Sequence, residues 1–471
     1  MYTEQDIKNI VEKQRNYFRS GETLDIDFRI AQLKKLRQAV VDNEQEIKQA
    51  LKQDLGRDDL ESYLLDIGTI ILEINETIKG LRKWARPELH FSGLMAFPSV
   101  FTRVYKMPYG TTLIIAPFNF PFLLSFGVLT AAIAGGNTAV LKLSSKSAAS
   151  TKLTCEIIKK TFDEKYVAAI DGGHDIADYC LSQRFDKIFY TGSPRIGKHV
   201  MNMASENLTP VALELGGETG NWCVVRKDAN LKDAAKKIVF FKLLNAGQIC
   251  IDINQVAIAK EVADEFIKCL IDEIKNQIGT DQLNNEEYPK LIGSAAYKNC
   301  ASVVDKYKDY VIYGGNGNPD TMKFETTLLY PIDINDDVVN HELFCPILPI
   351  VPYDDDKVDE LIDTINSREH GLALYLFTKD IKWAKKVMST SQFGGGCINE
   401  VVMHLIVKGV PFGGTGHSGM GAYHGEWGFR EFSHPTTVLI GSQKFDLPLR
   451  YHPYSGKGSK LKEKLIRKFE R

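Results

Sequence analysis

Two short motifs contain the residue types that acyl transfer through a thiol requires. Cys250 ends the run Asn-Ala-Gly-Gln-Ile-Cys, and Glu214 lies upstream in Leu-Glu-Leu-Gly-Gly. A thiolate can attack a carbonyl carbon, and a carboxylate held nearby can activate the water that later releases the acyl group. The pair therefore predicts thiol chemistry at a carbonyl, followed by hydrolysis.

Composition describes an ordinary globular protein. The 471 residues are too many for one compact core, so two or three domains are expected. A net charge of −2 argues against wholesale nucleic-acid binding. The polar N-terminus predicts no signal peptide, and the eight cysteines form no C-x-x-C pair, which indicates reduced thiols in the cytoplasm. His341 and Cys345 are four residues apart, but no further ligands cluster there and no metal is expected.

The arrangement of apolar residues predicts an α/β fold. Helices are expected in residues 1–85, and Val104–Ile115 is expected to form a hairpin with its turn at 108–110. From Thr112 onward, short apolar runs alternate with helix-length segments, which predicts a mostly parallel sheet covered by helices. The expected strands are 112–116, 138–143, 166–170 and 187–190, and the expected helices are 121–134, 146–162 and 174–183. A second alternation runs from about Val211 to Glu400, with a last strand at 437–440.

The segment Thr191-Gly-Ser-Pro-Arg-Ile-Gly197 follows an expected strand and opens an expected helix. Free N–H groups at a helix start suit a phosphate, and Pro194 fits the first turn. The segment is not G-x-G-x-x-G, so the residues alone leave open both a phosphate site and a simple strand-to-helix turn.

Taken together, the motifs resemble the aldehyde dehydrogenase superfamily. The resemblance includes Pro117–Pro121, Phe185–Ser193, Glu342–Pro346 and Pro411–Gly414. Segments 366–377, 418–425 and 432–434, together with His404, are closest to class 3 members, which oxidise medium- to long-chain aliphatic and aromatic aldehydes. Similarity extends from about residue 10 to 454. It implies a Rossmann-like cofactor domain, a second α/β catalytic domain and a small β oligomerisation element.

The resemblance assigns a role to each catalytic residue. Cys250 would form a thiohemiacetal and then a thioester with the aldehyde. Asn119, which alone would be interpreted as a turn residue, would stabilise the oxyanion together with the backbone N–H of the nucleophile. Glu214 would activate the hydrolytic water. The expected product is a carboxylic acid.

The resemblance also implies NAD or NADP as cofactor. The expected cofactor-binding residues are Pro117, Phe118, Lys142, Ser145, Gly192, Ser193, Gly197, Leu215, Glu342 and Phe344. The family's usual Lys-Pro-Ser-Glu is Lys142-Leu-Ser-Ser145 here. A carboxylate at that point would repel a 2′-phosphate, whereas serine can donate a hydrogen bond to it. Ser145 therefore predicts tolerance of NADP, or preference for it.

This chain departs from the family pattern near the site. Glu218 stands where a lysine usually follows the two glycines, and Cys345 replaces a glycine. The interval from Glu214 to Cys250 is about two residues longer than usual, and the extra residues are expected in the loop around 219–222.

The expected domains are 1–89 with 110–210 for the dinucleotide, 211–403 for catalysis, and 90–109 with 404–450 as an oligomerisation element. Class resemblance implies a homodimer built partly from the last element. Residues 451–471 form a basic tail in which Leu461, Leu465, Ile466 and Phe469 share one helical face. Such a helix either contacts an anionic membrane surface or remains solvated or packed on protein.

Two other functions remain open from the sequence. A CoA-acylating relative would pass the acyl group to CoA, but that chemistry does not need Glu214. A non-catalytic protein on the same scaffold is indicated only by Glu218 and the loop change.

Overall fold

The structure is a computed structural model, and it describes residues 2–93, 96, 99–446, 451–456 and 458–469. Residues 1, 94, 95, 97, 98, 447–450, 457, 470 and 471 lie outside the described residues, so part of the expected basic tail is among them. The helices are α1 (Glu4–Arg19), α2 (Ile26–Asp42), α3 (Glu44–Leu55), α4 (Asp59–Ser62), α5 (Gly68–Trp84), α6 (Val128–Gly135), α7 (Ala148–Thr161), α8 (His174–Leu181), α9 (Pro194–Ser205), α10 (Leu231–Leu243), α11 (Ala263–Ile278), α12 (Ser294–Lys306), α13 (Val358–Asn366), α14 (Ile381–Thr390), α15 (Gly425–Glu431) and α16 (Ser459–Phe469).

The strands follow the same chain order. They are β1 (Glu88–Phe91), β2 (Phe101–Pro108), β3 (Thr111–Ile115), β4 (Thr138–Lys142), β5 (Val167–Ile170), β6 (Lys187–Gly192), β7 (Val211–Leu215), β8 (Asn221–Val225), β9 (Ile253–Ala259), β10 (Val311–Tyr313), β11 (Gly317–Asn318), β12 (Lys323–Phe324), β13 (Thr327–Leu329), β14 (Ile347–Tyr353), β15 (Ala373–Phe377), β16 (Gly395–Ile398), β17 (Gly419–Met420) and β18 (Ser433–Leu439). The α/β prediction is confirmed.

The first large sheet has six strands in the order β17-β7-β6-β3-β4-β5, all parallel except β17. Its central strands are buried on both faces, as continuous apolar runs predict. Their carboxyl ends share one edge, where ligands of such sheets bind. β7, which carries Glu214, belongs to this sheet, so the sheet extends past the domain boundary expected at residue 210.

The hairpin expected over Val104–Ile115 is wrong. β2 pairs with β1 and β18, whereas β3 pairs in parallel with β4 and β6. The chain changes sheets at Gly110, whose φ is 138° and whose N–H donates to Asn137 Oδ1 at 2.9 Å. The turn residues were correctly placed, but the buried run of β3 finds better partners in the parallel sheet.

The second large sheet has seven strands in the order β10-β13-β14-β9-β8-β15-β16, and only β10 is antiparallel to its neighbour. Trp222, which was expected in the enlarged loop, lies within β8, so the loop itself is confined to 216–220. The order brings the start of β9 beside the start of β8, and Cys250 lies just before β9.

A third, antiparallel sheet has the order β1-β2-β18 and exposes apolar side chains. Leu89, Phe91, Phe101 and Val438 lie on the same side of this sheet, as its register shows, and all four are exposed. They form an apolar surface, which we call the three-stranded face. No helix in the described part of the chain is long and apolar enough to cross a bilayer.

Candidate active site

The loop that carries Cys250 is held in an unusual backbone conformation. Asn245, Ala246 and Gly247 have φ of 52°, 50° and 71°, in the left-handed region. A Cβ atom on Gly247 would lie 2.5 Å from the carbonyl oxygen of Cys345, so only glycine fits there. This local shape turns the chain from α10 toward β9 and places the thiol at the inner end of two cavities.

One cavity, of about 170 Å³, contains most of the residues assigned to catalysis and to the cofactor. Its lining comprises Pro117, Phe118, Asn119, Thr191, Gly192, Ser193, Glu214, Gly216, Cys250, Glu342 and Phe344. Thus the carboxyl ends of β3, β6 and β7 meet the Glu342–Phe344 segment around one space, which we call the cofactor cavity.

The other cavity, of about 260 Å³, is strongly apolar. Its lining includes Leu65, Phe120, Leu124, Phe241, Leu244, Ile251, Leu405, Ile406 and Phe412. Cys250 belongs to both linings. We call this second space the apolar cavity. Sequence analysis missed it because its residues come from five separate stretches of chain and look like core.

Asn119 is buried and its amide nitrogen points to the Cys250 loop. Nδ2 donates to the carbonyl oxygen of Gln248 at 3.1 Å. The backbone of Cys250 is fixed from the other side, because Asn221 Nδ2 donates to its carbonyl oxygen at 2.9 Å and to that of Asp252 at 2.8 Å. The backbone of Cys250 and the amide of Asn119 are therefore positioned by hydrogen bonds rather than by packing alone.

Burial raises the pKa values of Cys250 and Glu214. It raises the pKa of the Cys250 thiol to about 12, and the nearby carboxyls of Glu342 and Glu214 add to this effect. It also raises the pKa of Glu214 well above its ordinary value, with a further contribution from Glu431. Neither carboxyl oxygen of Glu214 has a hydrogen-bond partner among the described residues. Burial therefore favours the neutral form of each group.

The cofactor cavity offers unused polar groups where a dinucleotide would need them. Thr191 Oγ1 and Glu342 Oε1 are buried without hydrogen-bond partners in the described structure, and α9 begins without a side-chain cap at Ser193. The free N–H groups of a helix start suit a pyrophosphate, and a carboxylate suits ribose hydroxyls. Phe118 and Phe344 meet edge-to-face at 5.9 Å between ring centroids. These residues fit NAD(P).

The remaining expected cofactor residues lie outside this lining. Lys142 is buried at the end of β4, and its Nζ donates to the carbonyl oxygens of Leu143 (2.7 Å) and Gly172 (2.8 Å). Ser145 is exposed three residues further on. Gly197 and Leu215 pack together: a Cβ on Gly197 would lie 2.9 Å from Cδ2 of Leu215. This pair brings α9 close to β7.

The two departures from the family pattern have simple structural accounts. Glu218 is exposed, 3.0 Å from Nδ1 of His417 and 3.4 Å from Nζ of Lys198. Although partial burial opposes the effect, the interactions with His417 and Lys198 lower the pKa of Glu218. Cys345 is buried against Cys300, behind the Cys250 loop. Neither side chain lines the cofactor cavity.

The whole chain matches known proteins. The model of the aldehyde dehydrogenase family covers residues 1–438. A 4,4′-diaponeurosporen-aldehyde dehydrogenase of Staphylococcus aureus is 36% identical over 96% of this chain and 99% of its own length. The rat aldehyde dehydrogenase family 3 member A2 is 35% identical over 94% and 91%. The solved substrate-bound structure of Staphylococcus aureus AldH has a TM-score of 0.95 at 35% identity, with both chains covered completely.

These matches confirm the predicted resemblance, including its class 3 character. The chain belongs to the aldehyde dehydrogenase family and is an enzyme that oxidises aldehydes with NAD or NADP.

Proposed function

We propose that this enzyme converts medium- to long-chain aliphatic or aromatic aldehydes into free carboxylic acids through a thioester on Cys250. The observation that carries the proposal is that Cys250 is shared by the apolar cavity and the cofactor cavity. An aldehyde whose tail occupies the first places its carbonyl carbon at the boundary with the second. The apolar lining offers little to a short or charged aldehyde.

In the first step the Cys250 thiol gives its proton to water and its sulfur adds, as thiolate, to the carbonyl carbon. The oxyanion that forms is stabilised by Asn119 Nδ2 and the backbone N–H of Cys250, and one such donor contributes about a hundred- to a thousandfold in rate. The residues of the cofactor cavity would hold NAD(P), which would supply the acceptor for the hydride that leaves this carbon. Cys250 is then left as an acyl-thioester.

In the second step Glu214 takes a proton from water, which attacks the thioester carbon and releases the acid and the Cys250 thiol. The presence of a carboxylate at this place favours hydrolysis as the second step. The alternative, transfer of the acyl group to the thiol of CoA, does not need a base to activate water. Because burial raises the pKa of Glu214, we expect this step to accelerate as pH rises.

The main test compares wild type with Cys250→Ala for reduced-cofactor formation from octanal, benzaldehyde and propanal. We expect loss of activity in the variant and a lower KM for octanal than for propanal in wild type. Product analysis with CoA present separates acid from acyl-CoA. An inactive wild type with bound cofactor would instead indicate the non-catalytic alternative.

A preference for NADP is a finer part of the proposal. Ser145 is exposed and followed by Lys146, whose Nζ lies 5.2 Å from the ring centroid of Phe118 in the cofactor cavity. A hydroxyl and an ammonium side by side suit a 2′-phosphate. A rat relative is described as dimeric and NADP-preferring. Ser145→Glu should reduce kcat/KM for NADP at least tenfold and leave kcat/KM for NAD unchanged. An equal loss of kcat/KM with both cofactors would contradict a role of Ser145 in NADP binding.

We further propose a homodimer that buries the three-stranded face. Phe101 on β2 and Val438 on β18 lie on this face, and a charged substitution there should favour monomers. Light scattering of wild type and Val438→Asp tests this. Val41→Asp, a similarly exposed apolar position on α2, is the matched control.

The basic tail is proposed to contact anionic membrane surfaces from a cytoplasmic location. In α16, Lys460, Lys464 and Lys468 accompany an exposed Leu461. Lys462 Nζ reaches the carbonyl oxygens of Tyr451 (3.2 Å) and Pro453 (3.4 Å). Co-sedimentation with phosphatidylserine vesicles, but not with phosphatidylcholine vesicles, is expected at low salt, and Lys464→Glu with Lys468→Glu should abolish it. Equal recovery with both vesicles would contradict the proposal.

A further inference from the structure

A fully buried arginine lies behind the loops that carry Asn119 and Cys250. Arg57 comes directly after Gly56 in the link between α3 and α4, and none of its side chain is exposed. Burial of a guanidinium is unfavourable unless its donors are engaged. The steps proposed above do not use this residue, so its position calls for another explanation.

The guanidinium of Arg57 contacts three separate parts of the chain. Nη1 donates to Asp66 Oδ2 at 2.6 Å, Nη2 to the carbonyl oxygen of Asn119 at 2.5 Å, and Nε to Oδ1 of Asn245 at 2.9 Å. It also lies over the ring of Phe120, 4.7 Å from the centroid. A planar group with fixed donors can hold such a set, whereas a lysine ammonium on a flexible stem cannot.

Asn245 extends this contact to the nucleophile loop. Its Nδ2 donates to the carbonyl oxygens of Asn119 at 3.1 Å and Gln248 at 3.0 Å, and its backbone N–H donates to Glu61 Oε1 at 2.7 Å. The carbonyl of Gln248 is also the acceptor for the Asn119 amide. Arg57 and Asn245 therefore join the two loops at the atoms that orient the oxyanion donor.

Asp66 fixes the far side of the same loop. Its Oδ1 accepts from the N–H of Leu123 at 2.7 Å, while its Oδ2 pairs with Arg57. The loop from Asn119 to Leu123 is thus tied at both ends to one buried ion pair. Arg57 and Asp66 both belong to the N-terminal helical region, and neither lines the apolar cavity or the cofactor cavity. The residues of this region that do line the apolar cavity are leucines and Thr69.

We propose that Arg57 is a positioning residue for catalysis: with Asp66 and Asn245 it holds the Asn119 amide at the correct place relative to the sulfur of Cys250. This inference rests on the proposed role of Asn119 as oxyanion donor. Arg57 does not itself touch the substrate or cofactor. Its loss should reduce stabilisation of the transition state without removing either cavity.

The test uses Arg57→Lys in the full-length enzyme with octanal, alone and combined with Asn119→Ala. We expect Arg57→Lys to reduce kcat ten- to a hundredfold, with the KM for cofactor changed less than threefold. Because both changes act on one oxyanion contact, the double variant should be less than threefold slower than Asn119→Ala. Independent, multiplicative losses, or an unchanged kcat in Arg57→Lys, would overturn the proposal.

Arg226→Lys is the matched control for loss of a partly buried arginine. Arg226 pairs with Asp355 at 2.9 Å and lies over the ring of Trp383. It directly follows the last residue of β8, whereas Asn221 is the first residue of that strand. The length of β8, roughly 16 Å, therefore separates Arg226 from Asn221, which donates to the carbonyl oxygen of Cys250. The Arg226→Lys variant should have a lower Tm than wild type but the same kcat. An equal kcat loss in both variants would show a general effect of destabilisation and would overturn the proposal.

If Arg57→Lys does not fold, a second variant, Asn245→Asp, tests the same proposal. Asn245→Asp retains a residue type that tolerates the left-handed backbone, but it has no amide donors for Asn119 and Gln248. We expect the same loss of kcat with an unchanged cofactor KM, and wild-type kcat in this folded variant would overturn the proposal. If Asn119→Ala itself keeps wild-type kcat, the proposed function fails at Asn119, independently of Arg57.

Discussion

The carboxyl group of Glu342 lies directly against the backbone of Gly216. A Cβ atom on Gly216 would come 2.1 Å from Oε1 of Glu342, and the N–H of Glu342 donates to the carbonyl oxygen of Glu218 at 3.0 Å. The loop that follows Glu214 therefore also determines where the cofactor-cavity carboxyl lies. The roles proposed for Glu214 and Glu342 would therefore depend on one backbone segment.

Gly216→Ala should separate cofactor binding from chemistry at the thiol. The added methyl group cannot fit without moving Glu342, so we expect the KM for NAD(P) to rise about tenfold, corresponding to roughly 1.4 kcal/mol. Alkylation of Cys250 by iodoacetamide in the absence of cofactor should be nearly unchanged. Gly293→Ala, where a methyl group meets nothing within 4 Å, is the control. An unchanged cofactor KM would show that Glu342 does not bind the cofactor.

Glu342 should also produce a measurable pH dependence of stability. Burial, with a contribution from Asp252, raises its pKa to about 8. In the unfolded chain the carboxyl ionises near its ordinary value of about 4.3. Between these values the folded state holds a proton that the unfolded state has lost, so the free energy of unfolding falls as pH rises, by at most about 1.4 kcal/mol per pH unit.

Urea titrations of wild type and Glu342→Gln at pH 5, 6 and 7.5 measure this contribution. The glutamine is neutral throughout, so the variant should gain stability relative to wild type as pH increases. A difference that is constant across the range would mean that Glu342 is ionised in the folded protein.

Glu214→Gln should stop the reaction after the first step. Cys250 and Asn119 remain, so one equivalent of reduced cofactor per active site should appear in a burst. Turnover should then be about a hundred- to ten-thousandfold slower than in wild type, because the general base is missing. Stopped-flow absorbance measures both phases. Glu218→Gln, which alters an exposed carboxyl on the same loop, should show wild-type turnover.

Ile406→Asp tests the apolar cavity as the site of the aldehyde tail. Ile406 lines the cavity and is 57% exposed, so a charge there should not unfold the protein but should disfavour an apolar chain. The KM for octanal should rise at least tenfold and that for propanal by less than threefold. Val41→Asp serves again as control. Equal effects on both aldehydes would place the tail elsewhere.

Much of the fold could be predicted because local patterns and tertiary pairing agree. The runs at 138–142 and 187–190 are apolar and strand-length, and they occupy central positions of a buried parallel sheet. The run at 111–115 has the same character; the strand predicted at 112–116 in the parallel sheet is confirmed, and only the hairpin predicted over 104–115 is wrong. A turn at Gly110 indicates that the chain reverses or bends, but it does not specify which neighbour the next strand will pair with.

The site was predictable only where one residue type is chemically distinctive. Cys250, Glu214 and Asn119 carry reactive or polar groups within recognisable motifs, and the structure brings them to one cavity. Arg57 was not found, because an arginine beside a glycine in a helix link looks like a solvated surface residue. Its burial depends on contacts with Asn119 and Asn245, which are far away in sequence.

The shared position of Cys250 has a kinetic consequence. Because Cys250 is, among the described residues, the one lining residue that the apolar cavity and the cofactor cavity have in common, we expect a ligand in one cavity not to block the other. The reduced dinucleotide should then be able to dissociate before the acid departs. A nonreactive apolar analogue, such as a long-chain amide, should therefore compete with aldehyde but not with NAD(P). Double-reciprocal plots of initial rate at several analogue concentrations should then intersect on the rate axis when aldehyde is varied, but not when NAD(P) is varied. This difference would indicate that the two ligands reach the thiol separately.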